Sequence, residues 1–382
     1  MSPPNTADKA NPFRSVPSPE FREMLAVDRY GERSNVFDRL ILETHLHFWD
    51  PLDSAYLPLD APFDTRHQMI VPPEMVPELR SSVADRLSGP ERIRFVNETA
   101  RWWLSSLLHG EQGALSLASS LCHLLRDPAA VEYAANQARE EARHVTAFAR
   151  YIERRWSTPF PASPSLSALL GELVSAREIY KKIVGMQILV EGLAMGVFSV
   201  LHRRCTDPAL KRLTQLVMID EAFHHVAGKM WAESVLPTLA PQERDAVEDW
   251  AASCFRAVVS NLFHPEQKKG LYESFGLDWR WVRDAMREIY VSKERRAELE
   301  ADTEIFHTLV RTLLRAGIIT NRTRHFYTIW LDLDSLAESE DLIDSPIVAD
   351  GIDYLNEINR GRNVRRKGRG AWLPTATADS DP

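Results

Sequence analysis

Between residues 75 and 316 the apolar positions recur almost without interruption at the 3.6-residue period of helices that turn one face to a core. This pattern predicts helices over 91–125, 128–155, 176–204, 208–235, 241–262, 278–290 and 293–316. Two of the starts are written in the same three letters. Asp127-Pro128-Ala129 and Asp207-Pro208-Ala209 each supply an N-cap carboxylate followed by a proline at the first helical position. "TPFPASPS", 158–165, reads as a loop. The expected fold class is all-α.

The flanks lack this periodicity. Residues 1–25, rich in Pro, Ser and Asn, are expected to form a flexible arm, and 26–74, with Pro and Asp among aromatics, an irregular lead-in packed on the main body. The helical domain is assigned to 75–320. The remainder, 321–382, runs from the acidic "LDLDSLAESEDLIDS" to the basic "NRGRNVRRKGRG" and is expected to be a solvated tail rather than a docking patch for an acidic partner.

One helix passes a superficial membrane test. "IVGMQILVEGLAMGVFSVL", 183–201, is 19 residues long with a single charge, Glu191, between basic flanks. No membrane span is expected, because an ionisable group in its middle fits a helix buried inside a bundle better.

The polar residues that interrupt the apolar faces carry the chemistry. "QAREEARHVTAF", 137–148, returns as "VMIDEAFHHVAG", 217–228, and both hold Glu-x-x-His preceded by a second acid. With 12 His and 30 Glu in 382 residues, chance supplies about one such spacing. Three occur, and Glu304-Ile-Phe-His307, which has no duplicate, is taken as the chance member.

The other two are locked by an offset of 80 residues that also relates the two Asp-Pro-Ala caps and pairs Glu111 with Glu191. From Glu111 to Asp127 is 16 residues and from Asp127 to Glu141 is 14; the counts from Glu191 through Asp207 to Glu221 are identical. At about 1.5 Å per residue the chain climbs about 24 Å, turns, and descends about 21 Å. Four carboxylates and two imidazoles thus reach one height, on the stripes Ala130, Ala134, Gln137, Glu141, His144, Phe148 and Leu210, Thr214, Val217, Glu221, His224, Gly228.

Four ionised carboxylates converging in an apolar core need positive charge. Two divalent cations supply it. Oxygen-rich ligation with one imidazole per metal suits iron or manganese better than zinc, calcium or magnesium.

The arrangement over 91–235 resembles the ferritin-like di-iron carboxylate superfamily, in which two helices each give a Glu and two others each give Glu-x-x-His. The resemblance implies a four-helix bundle with flanking helices. It implies two Fe ions, or a Mn/Fe pair, with Glu111, Glu141 and His144 on one metal and Glu191, Glu221 and His224 on the other, Glu141 and Glu221 bridging. By the same resemblance Glu140 and Asp220 hydrogen-bond the ligand imidazoles. Three positions depart from better-defined branches. Phe148 stands where radical-storing reductase subunits have Tyr, and Met195 where many multicomponent monooxygenases have Thr. Val217 stands where the p-aminobenzoate N-oxygenases, otherwise distantly similar, have a further His ligand.

Two functions follow from such a centre. One is an O2-dependent oxygenase or oxidase acting on a small, largely apolar substrate by hydroxylation, N-oxygenation or desaturation. The other is a ferroxidase or a rubrerythrin-like peroxide scavenger. The oxygenase is preferred because some 200 residues lie outside the four helices, and because Gly110, Gly113, Gly192 and Gly196 are read as leaving space beside Glu111 and Glu191. No G-x-G-x-x-G or P-loop motif is present, so electrons are expected from an external reductase or ferredoxin.

The remaining features narrow the partners. A net charge of -8 and a pI near 5.9 argue against nucleic acid. Cys122, Cys205 and Cys254 are too few and too scattered for a disulfide framework or a four-Cys cluster. The N-terminus shows no secretory signal, so the cytoplasm is expected. A homodimer is left open. His45, His47, His67 and His109 are expected to be ordinary surface or core residues, Trp102 and Trp103 to serve packing more than electron relay, and His225 to face outward or support the ligands.

Overall fold

The structure is a computed structural model that describes residues 21–290, 304–328, 330–336 and 345–366. Those residues form helices, turns and loops, with no strand among them. The helices of nine residues or more are α1 (Asp38–Leu46), α2 (Gly89–Leu124), α3 (Pro128–Trp156), α4 (Pro164–Ser175), α5 (Ile179–Arg204), α6 (Pro208–Val235), α7 (Pro241–Phe263), α8 (Trp279–Tyr290), α9 (His307–Arg315) and α10 (Pro346–Arg366). The chain is all-α.

The two cap motifs act as the sequence requires. Asp127 and Asp207 each accept a hydrogen bond from the backbone N–H two residues on, at 2.9 Å, and each is followed by its proline. They turn α2 into α3 and α5 into α6, so that each hairpin packs along its length, and α3 lies against α6. Asp207 does more than cap. Fully buried, it also takes hydrogen bonds from the Tyr151 hydroxyl at 2.7 Å and from Arg155 at 2.7 and 3.1 Å, which pins α3 to the start of α6. Asp207→Ala strands a buried guanidinium and is expected to cost about 3–5 kcal/mol in urea unfolding; a loss below about 1 kcal/mol would show that the ion pair holds nothing together.

Apolar packing divides into two large clusters, and the division falls at the motifs. One gathers Leu104, Leu108, Phe148, Met195, Phe198 and Val217; the other gathers Ala114, Leu117, Ala134, Ile188, Leu189 and Trp231. Glu111, Glu141, Glu191 and Glu221 sit at the seam between them.

α5 is the apolar helix that passed the membrane test. Of its most apolar window, with mean hydropathy 1.8, 72% is buried inside the protein. It is a core helix. Its hydrogen bonding is not uniform: Ile183–Val190 is wound as a π-helix that ends at Glu191. Wide turns of this kind are uncommon and often sit beside functional groups.

Several expectations need correction. α4 falls at the end of the supposed loop 158–165, where Ser163 caps it through the Leu166 N–H. The lead-in is not wholly irregular, because Leu40, Ile41 and Thr44 give the short α1 a buried face against α3 and α6. The region 321–382 is not wholly a solvated tail either. α10 lies on α6, where Gly351 lets it approach Ile219 and Gln215, the Tyr354 ring receives the Arg212 guanidinium at 3.5 Å, and Tyr56 donates to Asn359. Charge runs at either end hid this apolar face. The start of the arm, 1–20, and most of the predicted 293–316 helix before α9 lie outside the described residues.

Candidate metal centre

Each hairpin brings its single Glu to the level of its Glu-x-x-His. Ligand atoms of Glu111, Glu141, His144 and Glu221 all lie within 4.8 Å of one another, as do those of Glu141, Glu191, Glu221 and His224. All six residues are buried, and Glu141 and Glu221 belong to both groups. His144 Nδ1 stands 3.2 Å from Glu111, 3.3 Å from Glu141 and 3.1 Å from Glu221, while His224 Nδ1 stands 3.1 Å from Glu141 and 3.4 Å from Glu221.

The outer nitrogens are held crosswise. Asp220 on α6 takes the Nε2 of His144 on α3 at 2.9 Å, and Glu140 on α3 takes the Nε2 of His224 on α6 at 2.9 Å. Each motif therefore orients the other's imidazole, with Nδ1 turned to the carboxylates. Asp220→Asn is expected to weaken metal binding about 10–100-fold in competition with a chelating dye, and an unchanged affinity would remove Asp220 from any supporting role.

Sequence reasoning missed two residues behind this pair. Arg143 bonds Asp220 at 2.6 and 3.1 Å and reaches Glu140 at 3.4 Å, while the Trp49 indole donates to Asp220 at 2.8 Å and stacks on His144 at 6.0 Å. Arg143 had a faint signal, being one turn from Glu140 inside "REEARH"; Trp49, far off in the lead-in, had none.

Gln137, from the inward stripe of α3, and Gln187, in the π segment of α5, form a second support. Gln187 donates to Gln137 at 2.8 Å, and Gln137 donates to Glu191 at 3.0 Å and to Glu141 at 3.3 Å. His225 is not a ligand. Its Nδ1 lies 3.2 Å from the Gln187 carbonyl in the π segment and its Nε2 lies 2.6 Å from the Thr312 hydroxyl of α9, so it steadies the stretch that leads to Glu191.

Electrostatics mark the cluster as strained by itself. Burial, then the charge of Glu221, pushes Glu111 and Glu191 well above the usual carboxylate range. Glu141 is driven up by burial, but His224 and His144 outweigh this and hold it low. Asp220 likewise overcomes burial through Arg143 and His144.

Whether these residues fit a metal can be judged from their unused atoms. One oxygen each of Glu141 and Glu191, both oxygens of Glu221 and the Nδ1 of His224 are buried with no hydrogen-bond partner. Native interiors rarely leave such atoms idle. Oxygens and an imidazole nitrogen orphaned together, facing one another, are what a metal ion satisfies.

A cavity of about 220 Å³ opens beside the cluster, lined by Glu111, Glu191 and Glu221 and otherwise mostly by apolar side chains of α2, α5 and α7, including Leu107, Ala194, Val197 and Leu262. The glycines contribute less space than their number implied. A Cβ at Gly110 would meet nothing within 4 Å, but one at Gly113 would strike Leu170, at Gly192 Leu309 and at Gly196 the Ile305 backbone. Three of the four therefore serve close packing. Phe148, Met195 and Val217 are fully buried in the apolar cluster beside the site. His67 pairs with Asp64 and His109 meets the Phe160 carbonyl, whereas His47 stacks on Phe223 and lies within electrostatic reach of Asp220 and Arg143.

Fold and site together define an all-helical protein whose core holds a carboxylate and imidazole cluster able to bind metal. Comparison with models of protein families, with curated proteins and with solved structures finds no match.

Proposed function

We propose that the chain is an O2-dependent non-haem di-iron oxygenase or oxidase built on a ferritin-like four-helix core of α2, α3, α5 and α6. The observation that carries this is the pair of ligand groups sharing Glu141 and Glu221, with idle buried oxygens, against the wall of an apolar cavity. Glu111 and His144 would complete one iron position and Glu191 and His224 the other; a Mn/Fe pair accepts the same donors. Two such metal ions, when bound and reduced by an external reductase or ferredoxin, supply the activation of O2 for attack on a C–H or N–H bond.

The protein's own part is positional. Asp220 and Glu140 fix the imidazoles, Gln137 holds one oxygen of Glu191, and the mostly apolar lining gives the reacting face a low-polarity wall. Val190, Ala194 and Val197 form the wall that a small, largely apolar substrate would touch. A ferroxidase or peroxide scavenger has no use for such a wall.

The test is O2 uptake by iron-loaded protein with a chemical reductant, screened over small apolar compounds. Uptake is expected to rise with one structural class of compound while iron stays near two per chain. Iron accumulating far beyond that, with no compound raising uptake, would sink the oxygenase.

A further inference from the structure

The same cavity holds a second polar group that the metal centre does not use. Glu78, on the short turn Pro77–Arg80, is fully buried in the cavity wall. One of its oxygens accepts from Lys268 Nζ at 2.9 Å and from the Tyr272 hydroxyl at 2.6 Å, and its other oxygen is buried with no hydrogen-bond partner. Lys268 and Tyr272 also line the cavity, and the Lys268 ammonium lies over the rings of Trp102 and Trp103 at 5.3 and 5.9 Å.

We propose that Glu78 is a substrate anchor, its idle oxygen accepting a hydrogen bond from a neutral hydroxyl or N–H group at the far end of an apolar, ring-containing substrate. This rests on the oxygenase reading for the word substrate, but the binding itself does not. Lys268 already balances the Glu78 charge. A cationic ligand would bring uncompensated charge into an apolar wall, whereas a neutral donor adds none and satisfies an atom that otherwise forfeits its hydrogen bond. Trp102 and Trp103 offer flat apolar surface beside it.

Spacing sets the size. Trp102 and Trp103 stand nine and eight residues before Glu111 on α2, about 12–14 Å along the helix at about 1.5 Å per residue. Subtracting about 3 Å for the hydrogen bond and about 3.5 Å for contact at the carboxylates leaves a ligand roughly 5.5–7.5 Å long. A bicyclic aromatic has this length.

The experiment measures binding of 2-naphthol, 2-methoxynaphthalene and naphthalene to the full chain by tryptophan fluorescence, with metal content determined on the same samples. Wild type is expected to prefer 2-naphthol to its methyl ether by about tenfold, consistent with one hydrogen bond to a charged acceptor. In Glu78→Gln the idle acceptor becomes an amide donor, and the preference is expected to vanish or invert. Leu107→Trp, which fills the cavity, is expected to abolish binding of all three.

Equal binding of the first two probes by wild type overturns the anchor whether or not the Glu78 variant folds. So does a preference that survives in folded Glu78→Gln, or binding that Leu107→Trp leaves intact. If Glu78→Gln does not fold, a wild-type preference abolished by Leu107→Trp supports it. Wild type without metal but with the preference would leave the anchor standing and remove the oxygenase.

Discussion

Replacing Glu141 by Ala is expected to remove both metal ions of the proposed centre, whereas replacing Glu111 by Ala should leave about one. The asymmetry comes from the geometry: Glu141 belongs to both ligand groups, with oxygens 3.3 Å from His144 and 3.1 Å from His224, while Glu111 belongs to one. Losing a shared carboxylate takes a donor from each position and leaves the remaining charges unbalanced. Losing Glu111 spares Glu141, Glu191, Glu221 and His224 intact. Mass spectrometric metal content per chain, on wild type and both variants purified together, checks this. About two, zero and one are the expected values. Equal loss in both variants would mean that the positions fill only as a unit, and metal retained in Glu141→Ala would mean that the cluster is not where metal binds.

The reason this site was legible at all is the repeat. Ligands on one helix hairpin must return to one height, and that forces equal residue counts on either side of an N-cap, which the two Asp-Pro-Ala signals display openly. Crossed support was legible only in part. An acid before each motif Glu is visible in sequence, but that Asp220 serves His144 and Glu140 serves His224 depends on α3 lying against α6, a contact between segments some 80 residues apart.

What remained hidden has a common physical cause. Trp49, Glu78, Lys268 and Tyr272 act through contacts between distant segments that leave no local period. The π segment before Glu191 has the same apolar composition as an α-helix would. Gly192 and Gly196 read equally well as open space or as close packing, and only the positions of Leu309 and Ile305 decide for packing. Charge runs at the end of the chain masked the apolar face by which α10 covers α6.

Chelation is expected to lower the melting temperature of wild type by on the order of 10 °C and to leave Glu141→Ala almost unchanged. Metal that binds only the folded state contributes ~4 kcal/mol per site when free metal stands a thousandfold above its dissociation constant, and in a chain of 382 residues each kcal/mol moves the midpoint by roughly 1–1.5 °C. The metal-free wild type has a further burden. Glu111, Glu141, Glu191 and Glu221 are confined together in a buried cluster with several oxygens unpartnered, and nothing but the two imidazoles and Gln137 offsets them. Removing Glu141 relieves its repulsion with the other three carboxylates but gives up the attraction of the two imidazoles that hold it ionised, and the two effects largely cancel, so under chelator the Glu141→Ala protein should melt close to wild type. A core residue valued for packing would behave in the opposite way, with Ala costing ~2–5 kcal/mol whatever the metal. Thermal unfolding of both proteins, with and without chelator, therefore separates a cluster kept for binding from one kept for structure. If Glu141→Ala melts far below chelated wild type, the carboxylate is a structural element, and the metal centre loses its strongest support.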